Sequence, residues 1–318
     1  MQNDIQTMIA LFPGQASQYV GMGKDLYENF EEARRLFDFA SQEVGEDLSK
    51  ITFEGPPETL KRTRFTQPAI LTHSLAVLAF ITAERPGRFA AVAGHSLGEY
   101  GALVAAGALS AENAIRLVSQ RAELMEQASQ AKPGTMAAII NMSAEDIVTL
   151  CDDASTDDEV VVAANINSAT QIVISGDTAA VERAVGMAKE RGAKRALLLE
   201  VGGAFHSPLM ASAKTGMEKA LNDVEISDPQ TTFIANVSAQ AETSGAEIRT
   251  LLVEQITSPV RWSETMTALK AVEPQVVVEI GPSKVLSGLA KRSLAPDRLV
   301  SLDTLADIEY FLKPSPVS

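Results

Sequence analysis

Short apolar runs that stop at a glycine- or proline-rich turn and restart as a helix fill the first part of this 318-residue chain. That alternation restricts it to few architectures. "TMIALF" stops at "PGQASQ"; "TQPAILTH" followed by "SLAVLAFITAE" is helical by composition; "FAAVAG" is a second strand. "LGEYGALVAAGAL" then reads as a buried helix in spite of its glycines, and Ser110 is placed to cap "AENAIRLVSQRAELMEQASQ". Strands and helices alternating at this spacing predict an α/β fold with a parallel sheet covered on both faces.

From about residue 132 the rhythm changes. "GTMAAIINM" is strand-like, "SAEDIVTLCDDA" helical, "EVVVAANI" and "QIVISG" strand-like, "DTAAVERAVGMAKERG" helical and "AKRALLLEV" strand-like. The order βαββαβ is the ferredoxin-like pattern. Alternation resumes afterwards and ends in "PQVVVEIGP", so residues 132–202 are expected to be a small domain inserted into a larger, discontinuous one of residues 1–131 and 203–318. The tail "KPSPVS" is expected to fray.

The formal charge of −14, from 27 basic and 41 acidic side chains, repels phosphate backbones and argues against nucleic-acid binding. It leaves room for an anionic ligand at a local positive cluster. Cys151 is the only cysteine, so neither an internal disulfide nor a cysteine-based metal site can form. The opening "MQNDIQTMIALFPGQ" lacks the basic region of a signal peptide, and no stretch has the apolar length of a membrane span. A cytoplasmic protein with no membrane partner is expected.

Gly94 to Gly98 spell Gly-x-Ser-x-Gly between a strand and a helix, the setting of a nucleophile elbow. The alternative is an ordinary strand-to-helix turn. On the elbow reading Ser96 is exposed beside a helix N-terminus, whose N–H groups favour a developing oxyanion. A serine hydroxyl needs a base, and the chain has only three histidines. His95 adjoins Ser96 and is expected to point away; His73 lies in an apolar helix, where a packed or partly exposed residue is the simpler reading. His206, in "VGGAFHSPLM", remains as the candidate base, and the group that orients its ring is left open.

In the helix after Ser110, Ala114, Val118, Arg121, Met125 and Ala128 form one stripe, widened by Leu117 and Leu124. Glu112, Arg116, Glu123 and Glu126 take the other side, so Arg121 lies on the inward face. It must snorkel to water, pair with a protein carboxylate, or await an anionic ligand. A guanidinium grips a carboxylate through two parallel hydrogen bonds, which suits an acyl group ending in one.

The ordered blocks "LFPGQASQYVGMG", "FTQPAI", "AGHSLGEY", "QRAELM", "NSATQIVISG", "FHSPLM", "PVRW" and "EIGP", spread from residue 11 to residue 282, resemble the malonyl-CoA:acyl carrier protein transacylases and related acyltransferase domains of fatty acid and polyketide synthesis. The resemblance implies an α/β-hydrolase-like large domain, a ferredoxin-like small one and a site between them. It implies a ping-pong reaction in which malonyl-CoA acylates Ser96 and the phosphopantetheine thiol of acyl carrier protein takes the malonyl group, with neither metal nor bound cofactor. Arg121 would hold the malonyl carboxylate, the N–H groups of Gln15 and Leu97 would form the oxyanion hole, and the main-chain carbonyl of Gln255 would orient the histidine. Asn167 would lie near the site, Met125 would line the acyl pocket, and Phe205 would favour malonyl over its α-methyl homologue. Ala16 stands where the family usually has glycine, which strains the turn if that position needs positive φ. An acidic carrier would need a basic patch, for which Lys189, Arg191, Lys194, Arg195, Lys284, Lys291 and Arg292 are candidates. The rival readings are a serine hydrolase on the same scaffold and a silent docking module.

Overall fold

The computed structural model describes residues 7–84, 87 and 89–313. The leader expectation for the first six residues and the fraying expected beyond Lys313 lie outside that range.

The larger sheet has the order β10-β9-β1-β2-β7-β8. It uses β1 (Met8–Phe12), β2 (Ala91–Gly94), β7 (Thr232–Ile234), β8 (Ala241–Glu242), β9 (Val276–Ile280) and β10 (Arg298–Leu302). Every pair is parallel except β7 with β8. Both faces are buried, as near-continuous apolar strands require. Ala10, Phe12, Val92 and Phe233 pack into one core, while Ile9, Leu11, Ala91, Ala93 and Ile234 pack into another around Trp262.

Between β1 and β2 run α1 (Lys24–Asn29), α2 (Glu31–Val44), α3 (Leu48–Glu54), α4 (Pro57–Leu60) and α5 (Thr63–Glu84). Pro68 is accommodated inside α5. Contrary to the expectation that no stretch has the apolar length of a membrane span, α5 is, among the described residues, long and apolar enough to cross one. Yet 83% of its apolar window is buried inside the protein as a core helix. After β2 come α6 (Gly98–Ala105) and α7 (Ala111–Ala131), the latter capped by the Ser110 side chain accepting from Asn113 N. α6 stops short of the expected length: Ala108 N and Gly107 N donate back to the Leu103 and Val104 carbonyls and close it.

The second sheet, of order β4-β5-β3-β6, is antiparallel throughout. It runs β3 (Gly134–Ile140), α8 (Ala144–Ala154), β4 (Val161–Ser168), β5 (Gln171–Asp177), α9 (Thr178–Glu190), β6 (Arg195–Leu198). β6 is shorter than the expected strand, although Leu199 N still donates to the Met136 carbonyl at 2.9 Å. α10 (Ala211–Asn222), α11 (Gly245–Gln255), α12 (Trp262–Lys270), α13 (Val285–Ser293) and α14 (Leu305–Leu312) complete the chain. Ile166 N donates to Val260 O at 2.9 Å and Val260 N to Ala164 O at 2.8 Å, tying β4 to the segment before α12.

Candidate active site

The turns after β1 and β2 and the start of α13 after β9 meet at the carboxyl edge of the parallel sheet, where open α/β sheets hold ligands. The second sheet closes the other side. Between them lies a cavity of about 400 Å³. Gln15, Ser96, Leu97, Arg121, Met125, Asn167, Phe205 and His206 all line it; Gln255 lies behind them.

Ser96 is held at φ 53, a left-handed conformation that projects its side chain from the turn. The tightness of that turn accounts for both glycines of the motif. A Cβ on Gly94 would sit 2.0 Å from the Gly98 carbonyl carbon, and one on Gly98 would sit 2.2 Å from Phe12 O.

Ser96 Oγ lies 2.8 Å from His206 Nε2. His206 Nδ1 lies 2.8 Å from the main-chain carbonyl of Gln255. A carbonyl only accepts, so Nδ1 carries the proton and Nε2 is left free to accept from the serine hydroxyl. Burial, then the nearby Arg121 charge, pushes the His206 pKa down to about 3, so the ring is neutral near pH 7. His95, expected to point away from Ser96, instead lines the same cavity, with its Nε2 2.9 Å from Asn167 Oδ1. His73 is fully buried, with Nε2 3.0 Å from Asp303 Oδ1.

Arg121 is 1% exposed and forms no ion pair among the described residues. Its Nη1 donates to Gln67 Oε1 at 2.5 Å, and its Nη2 to Gln255 Oε1 at 2.9 Å and Ser96 Oγ at 3.0 Å. Snorkelling and direct carboxylate pairing are therefore both replaced by neutral oxygen acceptors. Burial lowers its pKa from the ordinary value; a guanidinium starts from so high a value that it is carried as a cation in proteins.

Four polar residues around the site were not singled out from the sequence. Gln67 on α5 holds Arg121 and also approaches Met125 Sδ at 3.6 Å. Asn165 lines the cavity with a buried Oδ1 that has no hydrogen-bond partner. The β4–β5 register shifts between Ala163 and Asn165 and again between Ile166 and Ser168, which re-aims this stretch of β4. Glu99 and Asn236 lie beneath Ser96. Burial pushes the Glu99 pKa up to about 8, against the lowering effect of its N–H donors and Arg121. The only available signal was a polar residue inside an apolar stretch: Gln67 in "FTQPAI" and Glu99 in "LGEYGALVAAGAL".

The acyl transferase domain family matches residues 10–303. The chain belongs to the acyl transferase family. A relative from Bacillus subtilis (strain 168), named malonyl CoA-acyl carrier protein transacylase, is 48% identical over 89% of this chain and 89% of its own length. The solved structure of a malonyl CoA-acyl carrier protein transacylase from Coxiella burnetii superposes with a TM-score of 0.91 at 37% identity, covering 96% of this chain and 97% of that one. Another member of the family, a malonyl-transacylase solved in complex with a type II PKS acyl-carrier protein, has a TM-score of 0.90 at 38% identity over 96% of this chain and 98% of its own. Family membership makes the protein an acyltransferase, and the serine hydrolase and silent-module readings fall away.

Proposed function

We propose that this protein transfers a malonyl group from malonyl-CoA to the phosphopantetheine thiol of acyl carrier protein through an ester on Ser96. In the first half-reaction Ser96 Oγ attacks the thioester carbonyl while His206 Nε2 takes the hydroxyl proton. The N–H groups of Gln15 and Leu97 stabilise the oxyanion. The C–S bond then breaks, and CoA leaves as the thiol with the proton from the imidazolium. In the second half the carrier's thiol gives its proton to His206 and attacks the malonyl ester; the acyl C–O bond breaks, and Ser96 Oγ takes the proton back from the imidazolium. Written this way, the reaction calls on no metal or bound cofactor.

The observation that carries the malonyl assignment is the buried, unpaired Arg121 within 3.0 Å of the nucleophile. A carboxylate at the far end of a three-carbon acyl group supplies the anion that the protein withholds. Met125, Asn167 and Phe205 would shape the remaining pocket, and the Phe205 ring would disfavour an α-methyl branch. The scaffold is read as an α/β-hydrolase-like domain, residues 1–131 and 203–318, with a ferredoxin-like insertion at 132–202. The insertion's strand order and two helices support that reading.

Mass spectrometry of the protein after incubation with malonyl-, methylmalonyl- and acetyl-CoA tests the assignment. A malonyl adduct on Ser96 is expected to dominate. Arg121→Ala should lower the malonyl rate by on the order of a hundred-fold, the scale of a lost buried charge pair, while sparing acetyl transfer. An equal fall for both donors would make the arginine structural.

A further inference from the structure

Glu99 takes no part in the transfer chemistry above, yet its carboxyl is 2% exposed in the first turn of α6. Its Oε1 accepts from Asn236 N at 2.5 Å, and its Oε2 accepts from Gln255 Nε2. Those two partners also hold the nucleophile's own backbone. Asn236 Oδ1 accepts the Ser96 N–H at 2.7 Å, while its Nδ2 donates to Gly94 O at 2.7 Å. Gln255 Nε2 donates to the Ser96 carbonyl at 3.0 Å. The N–H and the C=O of Ser96 are thus held by two side chains whose residues converge on one carboxylate. Gln255 further gives its side-chain oxygen to Arg121 and its main-chain carbonyl to His206.

We propose that Glu99 is a positioning residue, holding Ser96, His206 and Arg121 in register through Asn236 and Gln255. Each carboxyl oxygen accepts from one of these two N–H groups, so the one side chain receives both at once. A glutamine of the same shape would turn an NH₂ group toward one of these donors. Ser96 resides in a left-handed backbone region that a residue with a Cβ holds only when its surroundings constrain it. Loosening either hold lets the elbow relax and carries Oγ away from His206 Nε2. This role rests on the reading of Ser96 as the nucleophile, so the test reports on serine reactivity without any acyl donor.

The test is the rate at which a fluorophosphonate probe labels Ser96, followed by intact mass. Glu99→Gln is expected to lower the maximal labelling rate by about ten-fold or more with the probe's half-saturating concentration unchanged. Its thermal midpoint is expected not to fall. Asn236→Ala should slow labelling as well, and the double variant should be no slower than the slower single one, because both act through one chain of contacts. Labelling of Glu99→Gln within about two-fold of wild type, or multiplying effects in the double variant, would overturn the proposal. Should Glu99→Gln fail to fold, unchanged labelling of Asn236→Ala overturns it instead. A wild-type protein that does not label at all refutes the nucleophile assignment itself, and this role with it.

Discussion

Ala16 sits at φ 73 in the turn that carries Gln15, so an alanine at this position does strain the backbone. A left-handed alanine costs roughly 1–2 kcal/mol, and glycine gives back about 0.4–1 kcal/mol through the freer unfolded chain. Ala16→Gly is therefore expected to stabilise the protein by up to about 1 kcal/mol, seen as a rise of about 1–2 °C in thermal midpoint. A fall would mean that the turn needs the methyl group. Glu99 gives a second prediction, and its sign is fixed by burial. Its carboxyl titrates near pH 8 when folded and near 4.5 when unfolded, so the unfolded chain releases its proton first as pH rises. The stability of wild type relative to Glu99→Gln should then fall between pH 4.5 and pH 8, by on the order of 5 kcal/mol at full extent. Urea unfolding of both proteins at several pH values reads this directly, and a constant difference would contradict it. Ser96, His206 and Arg121 were legible because serine sits in a marked motif, histidine is scarce and arginine breaks an apolar stripe. Glu99 and Asn236 were not, because their contact joins residues 137 apart in the chain.

At the level of elements, the apolar runs marked the strands well where both faces are buried, as in β1, β2 and β9. The alternating sheet was also readable, because its strand-like runs are interrupted by helical ones such as "SAEDIVTLCDDA", which forms α8. What the pattern missed were ends set by tertiary contacts. "LGEYGALVAAGAL" is apolar to its last residue, yet backbone hydrogen bonds close α6 at Ala105, and the chain turns toward α7. The apolar run in "AKRALLLEV" outlasts β6: Leu199 N still donates to Met136 O of β3, but the Leu199 and Val201 side chains line the cavity. Composition shows that a residue is buried, but not whether it is buried under a strand or against a ligand site. Functional walls therefore read as extensions of regular structure.

Across the whole molecule the decisive quantity for the proposed function is the net charge of −14, set against a carrier expected to be acidic as well. Uniform repulsion would slow their encounter, so docking must rely on local positive charge. Lys189, Lys194, Arg195, Lys284, Lys291 and Arg292 are all exposed, and Arg292 together with the exposed Val285 reaches the cavity wall. Arg191 contributes less, because Asp153 already accepts from it at 2.6 Å. Salt screens such a patch over about 10 Å at 0.1 M ionic strength, which makes ionic strength the discriminating variable. The second-order rate of malonyl transfer to the carrier is expected to fall by about ten-fold between low and high salt. Transfer to free pantetheine, whose thiol presents the same chemistry without the carrier's charge, should stay nearly flat over the same range. Pantetheine and carrier responding alike would place the salt sensitivity in the chemical step, and the basic residues would then be ordinary solvated surface.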